Sequence, residues 1–254
     1  MNFLQKSKKI IAVATLLSGL ALFAGCGGQK AEEAISGTVS ASGSTALLPL
    51  LKPAQEEFHK KHEKVTVNIA GGGSFTGMNQ VAAGAVQIGN SDVNLPADFK
   101  DKGLVDHKVV VLPFVFIANK DVNVNNLSAE QYVNILTGKI TNWKEVGGKD
   151  QKITIIHRAK SSGSRATITE TVLKGANFTD NAIIQDSNGA VKTAIASTPG
   201  AIGYVDAPYA DDTIKILDFN GVKYSADAVI NGTYPVYSYG HMYTKGAPTG
   251  AVKS

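Results

Sequence analysis

Cysteine is almost absent from this chain of 254 residues: Cys26 stands alone. One cysteine excludes an internal disulfide framework. Long runs of Lys and Arg are also missing, as is any basic face interleaved with aromatics, which argues against a nucleic-acid surface. Beyond the first stretch, no hydrophobic segment approaches the roughly 20 residues needed to span a bilayer. Internal repeats and low-complexity segments are absent. So are three enzyme signatures: Gly-x-Ser-x-Gly, a phosphate-cradling loop ending in Lys-Ser/Thr, and His-Glu-x-x-His. Only one pair of histidines is closely spaced, His59 and His62. It shares a helical pattern with Glu56, Glu57, Lys60 and Lys61, so a solvated face is expected there and no metal site.

The first stretch reads as an address. Lys6, Lys8 and Lys9 precede an apolar run over residues 10–23, which is followed by Ala24-Gly25-Cys26. The run is too short for a mature membrane span, and small residues before Cys26 mark a cleavage site. Leu22-Phe23-Ala24-Gly25-Cys26 resembles a bacterial lipobox, with Phe23 where Leu is usual. The expected organisation is therefore a signal peptide over 1–25, then a tether over 26–36 lipidated at Cys26 and polar from Gln29 on. Removing 1–25 leaves 229 residues and takes away three lysines and no acids, so the formal charge falls from +4 to +1. The basic balance is thus partly a feature of export, and 229 residues suffice for one large α/β core or two small ones.

From residue 37 onward, strand and helix patterns alternate. Strands are expected over 37–42, 65–69, 87–89, 152–157 and 201–205, and helices over 47–61, 75–83, 128–136, 165–173 and 189–196. Pro49 suits a first helical turn and Pro53 is expected to kink the helix it interrupts. A long apolar run over 109–118, broken by Pro113, suggests a strand leaving one lobe for another, and 236–243 suggests the return crossing. The alternation indicates a largely parallel α/β sheet.

Three loops, each after a strand and before a helix, combine hydroxyls with glycine: Ser42-Gly43-Ser44-Thr45, Gly71-Gly72-Gly73-Ser74 and Ser161-Ser162-Gly163-Ser164. A helix start offers free N–H groups and the positive end of the helix dipole, which together favour an anion. Each loop taken singly is also an ordinary N-cap. Arg158 lies just before the third loop and brings a planar fork suited to tetrahedral oxyanions; a surface salt bridge is its other reading. Asp92 closes a strand in Ser91-Asp92-Val93-Asn94, where it is either a turn residue or an acceptor for a protonated oxyanion. Phosphate keeps one or two protons near neutral pH and can donate to a carboxylate; sulfate and molybdate have none to give, whereas arsenate has. A site built around such an acceptor rejects the unprotonated analogue by roughly 10⁴–10⁵-fold.

The order and spacing of several segments resemble the phosphate-binding components of bacterial ABC transporters, the PstS type. The segments are Ala41-Ser42-Gly43-Ser44-Thr45-Ala46, Gly71-Gly72-Gly73-Ser74, Ser91-Asp92, Arg158-Ala159-Lys160-Ser161-Ser162-Gly163-Ser164-Arg165 and Thr198-Pro199-Gly200-Ala201-Ile202-Gly203-Tyr204-Val205. The resemblance spans about 37–252. It implies an α/β, two-lobed type II periplasmic-binding-protein fold with a ligand cleft between lobes. Lobe 1 is the discontinuous pair 37–115 and 236–254, and lobe 2 is 116–235. It also implies roles. Thr45 offers hydroxyl and amide, Ala46 its N–H, and Ser74 hydroxyl and amide. Asp92 accepts the phosphate proton, and Arg158 makes the charged contact. Ser162, Gly163 and Ser164 bind at a helix start; Ser44 and Arg165 lie nearby. The implied partners are inorganic phosphate, a membrane permease with its ATPase complex, and the membrane through the lipid anchor, with no cofactor and no metal.

Two departures stand out. Some relatives carry an acid two positions after the binding arginine, where this chain has Lys160. Relatives also continue past Met242-Tyr243-Thr244-Lys245-Gly246 with one or two helices, so a fold lacking the last C-terminal helices is expected. The alternatives are a phosphate-ester hydrolase using a serine with His157, and a surface phosphate sensor or adhesin on the same fold.

Overall fold

The computed structural model describes residues 35–254; the expected signal peptide, Cys26 and all but the last two residues of the expected tether lie outside the described residues. Sixteen regular elements follow. The first half contains β1 (Gly37–Gly43), α1 (Leu48–Lys61), β2 (Val65–Ala70), α2 (Ser74–Ala82), β3 (Ile88–Ser91) and the long β4 (Leu104–Ala118). After it come β5 (Asn126–Leu127), α3 (Ala129–Leu136), β6 (Thr154–Arg158), α4 (Gly163–Thr171), β7 (Ile183–Gln185) and α5 (Asn188–Ser197). The chain closes with β8 (Ala201–Asp206), β9 (Lys215–Phe219), α6 (Ala226–Ile230) and β10 (Tyr237–Lys245).

Local chemistry accounts for many of the boundaries. α1 has Pro49 in its first turn and runs on through Pro53. Ser128 and Gln131 form a reciprocal capping box at α3, satisfying two otherwise orphaned donors. Ser162, Ser187 and Ser225 each cap a helix by accepting the amide three residues on. Ser162 therefore starts α4 two residues before the expected Arg165, which puts Gly163 and Ser164 in the first turn.

The main sheet path is β2-β1-β3-β10-β4-β8-β6-β7, with β9 pairing β4 and β5. Its pairing is mixed, not largely parallel. β1 pairs in parallel with β2 and β3, and β6 with β7 and β8, through helical crossovers. β4 and β10 run antiparallel to their neighbours β3, β8 and β9 and to each other. Neither is flanked by a helical crossover to a parallel partner, so alternation of strands and helices does not govern them.

β4 changes partners at Pro113. Residues 104–113 pair with β10, and 114–118 pair with β8 and β9. Proline lacks an N–H and is tolerated where a ladder switches; the next amide, Phe114, donates to Val236 O at 2.9 Å. The end of β4 is buried on both faces, which explains its continuous apolar sequence. Phe114, Phe116 and Ala118 join one core with Tyr132, Trp143 and Phe219, while Val115 and Ile117 join another with Ile156, Val191 and Ile195. A third cluster, Met78, Val81 and Tyr243, packs α2 on β10. No helix among the described residues is long and apolar enough to cross a membrane.

Candidate anion-binding site

The C-terminal ends of β1, β2, β3, β6, β7 and β8 converge, and the loops they feed bring the predicted residues together. Thr45, Ala46, Ser74, Asp92, Arg158, Ser162 and Ser164 are all at least 95% buried, and Gly163 is buried with them. Ser74 donates its hydroxyl to Asp92 Oδ1, and its oxygen accepts the Asp92 N–H at 3.0 Å. Ser164 donates to Asp92 Oδ2 at 2.9 Å, and Thr167 to the Asp92 backbone oxygen at 3.4 Å. The glycine loop before α2 lies against the loop before α4: Phe75 N–H donates to Ser161 O at 3.1 Å. A Cβ at Gly73, whose φ is +93°, would stand 2.5 Å from that same oxygen. This approach requires glycine.

Arg158 ends β6 with 1% of its surface exposed. Its Nε donates to Gln185 O at 3.3 Å, Nη2 to Asp186 O at 2.7 Å and Nη1 to Thr45 Oγ1 at 3.3 Å. Among the described residues no ion pair includes it, so the surface salt bridge is not its role. Burial pulls its pKa below the usual arginine value, and the charge of Asp92 works against that pull. A buried guanidinium held by neutral oxygens is a charge without a contacting counter-charge, an arrangement that strongly favours an anion. The first-turn amides of Ser74, Gly163 and Ser164 have no acceptor within their helices. Ala46 N–H points to Ser44 Oγ at 3.1 Å. Arg165 turns away, donating to Arg158 O at 3.0 Å and lying over the Phe178 ring.

Three further residues belong to this site. Asn188 opens α5, fully buried, and bonds Thr45 Oγ1 through both its backbone and side-chain nitrogens. Tyr209 donates its hydroxyl to Thr45 O at 2.6 Å. Asp206, at the end of β8, is fully buried with neither carboxylate oxygen hydrogen-bonded. Burial, then the charge of Asp92, pushes its carboxyl up to about 8. Asp186-Ser187-Asn188-Gly189 is a fourth polar, glycine-containing stretch, running from the end of β7 into the first turn of α5. The signal for Asn188 was present, but the three-residue β7 before it was not legible.

His157 is no partner for a serine nucleophile. Its Nδ1 faces Arg158 O at 3.0 Å, its Nε2 has no partner among the described residues, and its ring stacks on Phe178 at 4.5 Å. Burial lowers its pKa. His59 lies exposed on α1 with Nδ1 3.3 Å from Val65 O, and no group of three or more His, Cys, Asp or Glu is gathered for a metal among the described residues. Lys160 lies outside the site, where it lines an open groove of about 710 Å³ with Phe75, Arg165, Glu170 and Lys174.

The PBP superfamily domain matches residues 28–254. The chain is 42% identical to the phosphate-binding protein PstS of Bacillus subtilis (strain 168), over 98% of this chain and 87% of that one. It is 30% identical to the PstS of Borreliella burgdorferi, over 90% and 84%. Among solved structures it is similar to a putative phosphate ABC transporter substrate-binding protein with bound phosphate from Clostridium perfringens. That likeness has a TM-score of 0.79 and 32% identity, covering 82% of this chain and 86% of that one.

Proposed function

The chain belongs to the PstS family of phosphate-binding proteins within the PBP superfamily, and we propose that it captures inorganic phosphate among Thr45, Ala46, Ser74, Asp92, Arg158, Ser162, Gly163 and Ser164. The observation that carries this reading is the buried Arg158, its charge unpaired by any contacting carboxylate among the described residues. Phosphate supplies the missing charge, and its tetrahedral oxygens suit the Ser162 hydroxyl and the helix-start amides, including those of Ser74, Gly163 and Ser164, while the Ser74 and Ser164 hydroxyls stay on Asp92. Asp92 then accepts a hydrogen bond from the proton that phosphate carries and sulfate lacks.

On this reading the type II fold works as a hinge. Lobe 1 comprises 37–115 with 236–254, and lobe 2 comprises 116–235. The change of partner at Pro113 and the bond from Phe114 to Val236 O support a boundary where β4 and the start of β10 cross. Ligand contacts from both sides favour the closed form over the open one. The closed, loaded protein delivers phosphate to an ABC-transporter permease and its ATPase complex. An extracytoplasmic location, with Cys26 lipidated on the outer face of the membrane, fits the leader sequence. This is binding without turnover, consistent with the placement of His157. Isothermal titration with inorganic phosphate tests the reading: saturable one-to-one binding is expected, and no heat of binding contradicts it.

A further inference from the structure

We infer that Asn188 is a positioning residue that makes the Thr45 hydroxyl an obligatory hydrogen-bond donor toward the bound anion. Three nitrogens converge on Thr45 Oγ1: Arg158 Nη1 at 3.3 Å, Asn188 N at 3.3 Å and Asn188 Nδ2 at 3.1 Å. A hydroxyl oxygen has two lone pairs and one proton. Three donors more than occupy its two lone pairs, so the oxygen has only the proton left to offer, and that proton is directed away from them. No amide or guanidinium nitrogen among the three can accept it. An anion in the cleft can.

The orientation of Asn188 is itself fixed. Its Oδ1 accepts the Asp206 N–H at 3.1 Å, which forces Nδ2 toward Thr45. Asn188 has no solvent exposure, so the amide has no competing water contact. Tyr209 holds the backbone of the same threonine through its carbonyl at 2.6 Å. Thr45 lies 143 positions before Asn188 in sequence, and among the described residues its side chain bonds to groups at the end of β6 and the start of α5. The cluster can therefore form only when the β1 loop and those later segments are together. Asn188 thus couples closure to the polarity of one hydroxyl. A freely rotating hydroxyl serves donors and acceptors alike; a fixed donor suits an anion bearing free oxygens.

This inference rests on the proposed phosphate site and is tested by a double-mutant cycle. Phosphate titrations are run on the wild type, Thr45→Val, Asn188→Leu and the double variant, with Asn188→Ala carried through the same cycle should leucine impair folding. Loss of a bond to a charged acceptor predicts roughly 10–100-fold weaker phosphate binding for each single variant. The double variant is expected to bind within about threefold of Thr45→Val alone, because Asn188 acts through that hydroxyl. A merely structural role would make the two losses multiply. Multiplying losses, or wild-type affinity in both Asn188 variants, overturn the inference while leaving phosphate binding intact. A wild type that fails to bind phosphate overturns both.

Discussion

Ser164, in the first turn of α4, donates its hydroxyl to Asp92 Oδ2 at 2.9 Å across 72 positions of sequence. Ser74 donates to the other carboxylate oxygen from the start of α2. Asp92 is thus an acceptor on both oxygens, and it draws together two helix starts whose dipoles favour negative charge. A carboxylate has about four lone-pair sites, so both serines can remain while a protonated oxyanion donates to a third.

That closeness leaves no room at Gly163. A Cβ there would collide with Asp92 Oδ1 and Ser74 Oγ. Gly163→Ala should leave the separate halves folded but hold the two helix starts apart. We expect phosphate affinity to fall at least about tenfold, in line with the roughly 1–3 kcal/mol cost of overpacking, with little change in the circular dichroism spectrum. Wild-type affinity in this variant would show that the contact does not form in the bound state.

Arg158→Ala removes the guanidinium that donates to Thr45 Oγ1. Truncating a buried, hydrogen-bonded charge costs roughly 2–5 kcal/mol of binding, and calorimetry should show phosphate affinity reduced accordingly. Unchanged affinity would remove the site assignment. Arg165→Ala should cost less, because that side chain bonds the Arg158 carbonyl and packs on Phe178.

Asp206 gives a pH signature in the ligand-free protein. Its folded-state pKa of about 8 lies above the ordinary value of 3.8, chiefly through burial. Between these values the folded state holds a proton that the unfolded chain releases. Stability attributable to this group is therefore present at pH 4 and declines toward pH 8, with a slope of up to about 1.4 kcal/mol per pH unit. Asp206→Asn removes the slope, so its advantage over the wild type should grow from pH 4.5 to pH 8 in denaturant midpoints. Parallel midpoints across that range would contradict the assignment.

The site was largely legible because its chemistry is local. Hydroxyl and glycine residues mark helix starts wherever they follow a strand, and Ser74, Ser162 and Ser164 lie at such starts in the fold. What escaped was set by distant pairing. The first five residues of β4 include Asp106, His107 and Lys108, and β10 holds them as a strand from more than 130 positions away. β7 has three residues, with Ile183 and Ile184 exposed, so neither alternation nor burial announced it. Asn188 stayed hidden with it. The mixed pairing of β4 and β10 likewise depends on a return crossing that no local pattern encodes.

On this reading Asp92 turns a general anion cleft into one for phosphate. The most direct measurement is a calorimetric titration of the wild type and Asp92→Asn with phosphate and with sulfate at pH 7. The wild type should bind phosphate and give no measurable sulfate binding, a preference on the order of 10⁴-fold or more. Asp92→Asn, which can donate to an unprotonated oxygen, should lose much of that preference by gaining sulfate. A wild type that binds both anions alike, or an Asp92→Asn variant with the preference intact, would contradict the account.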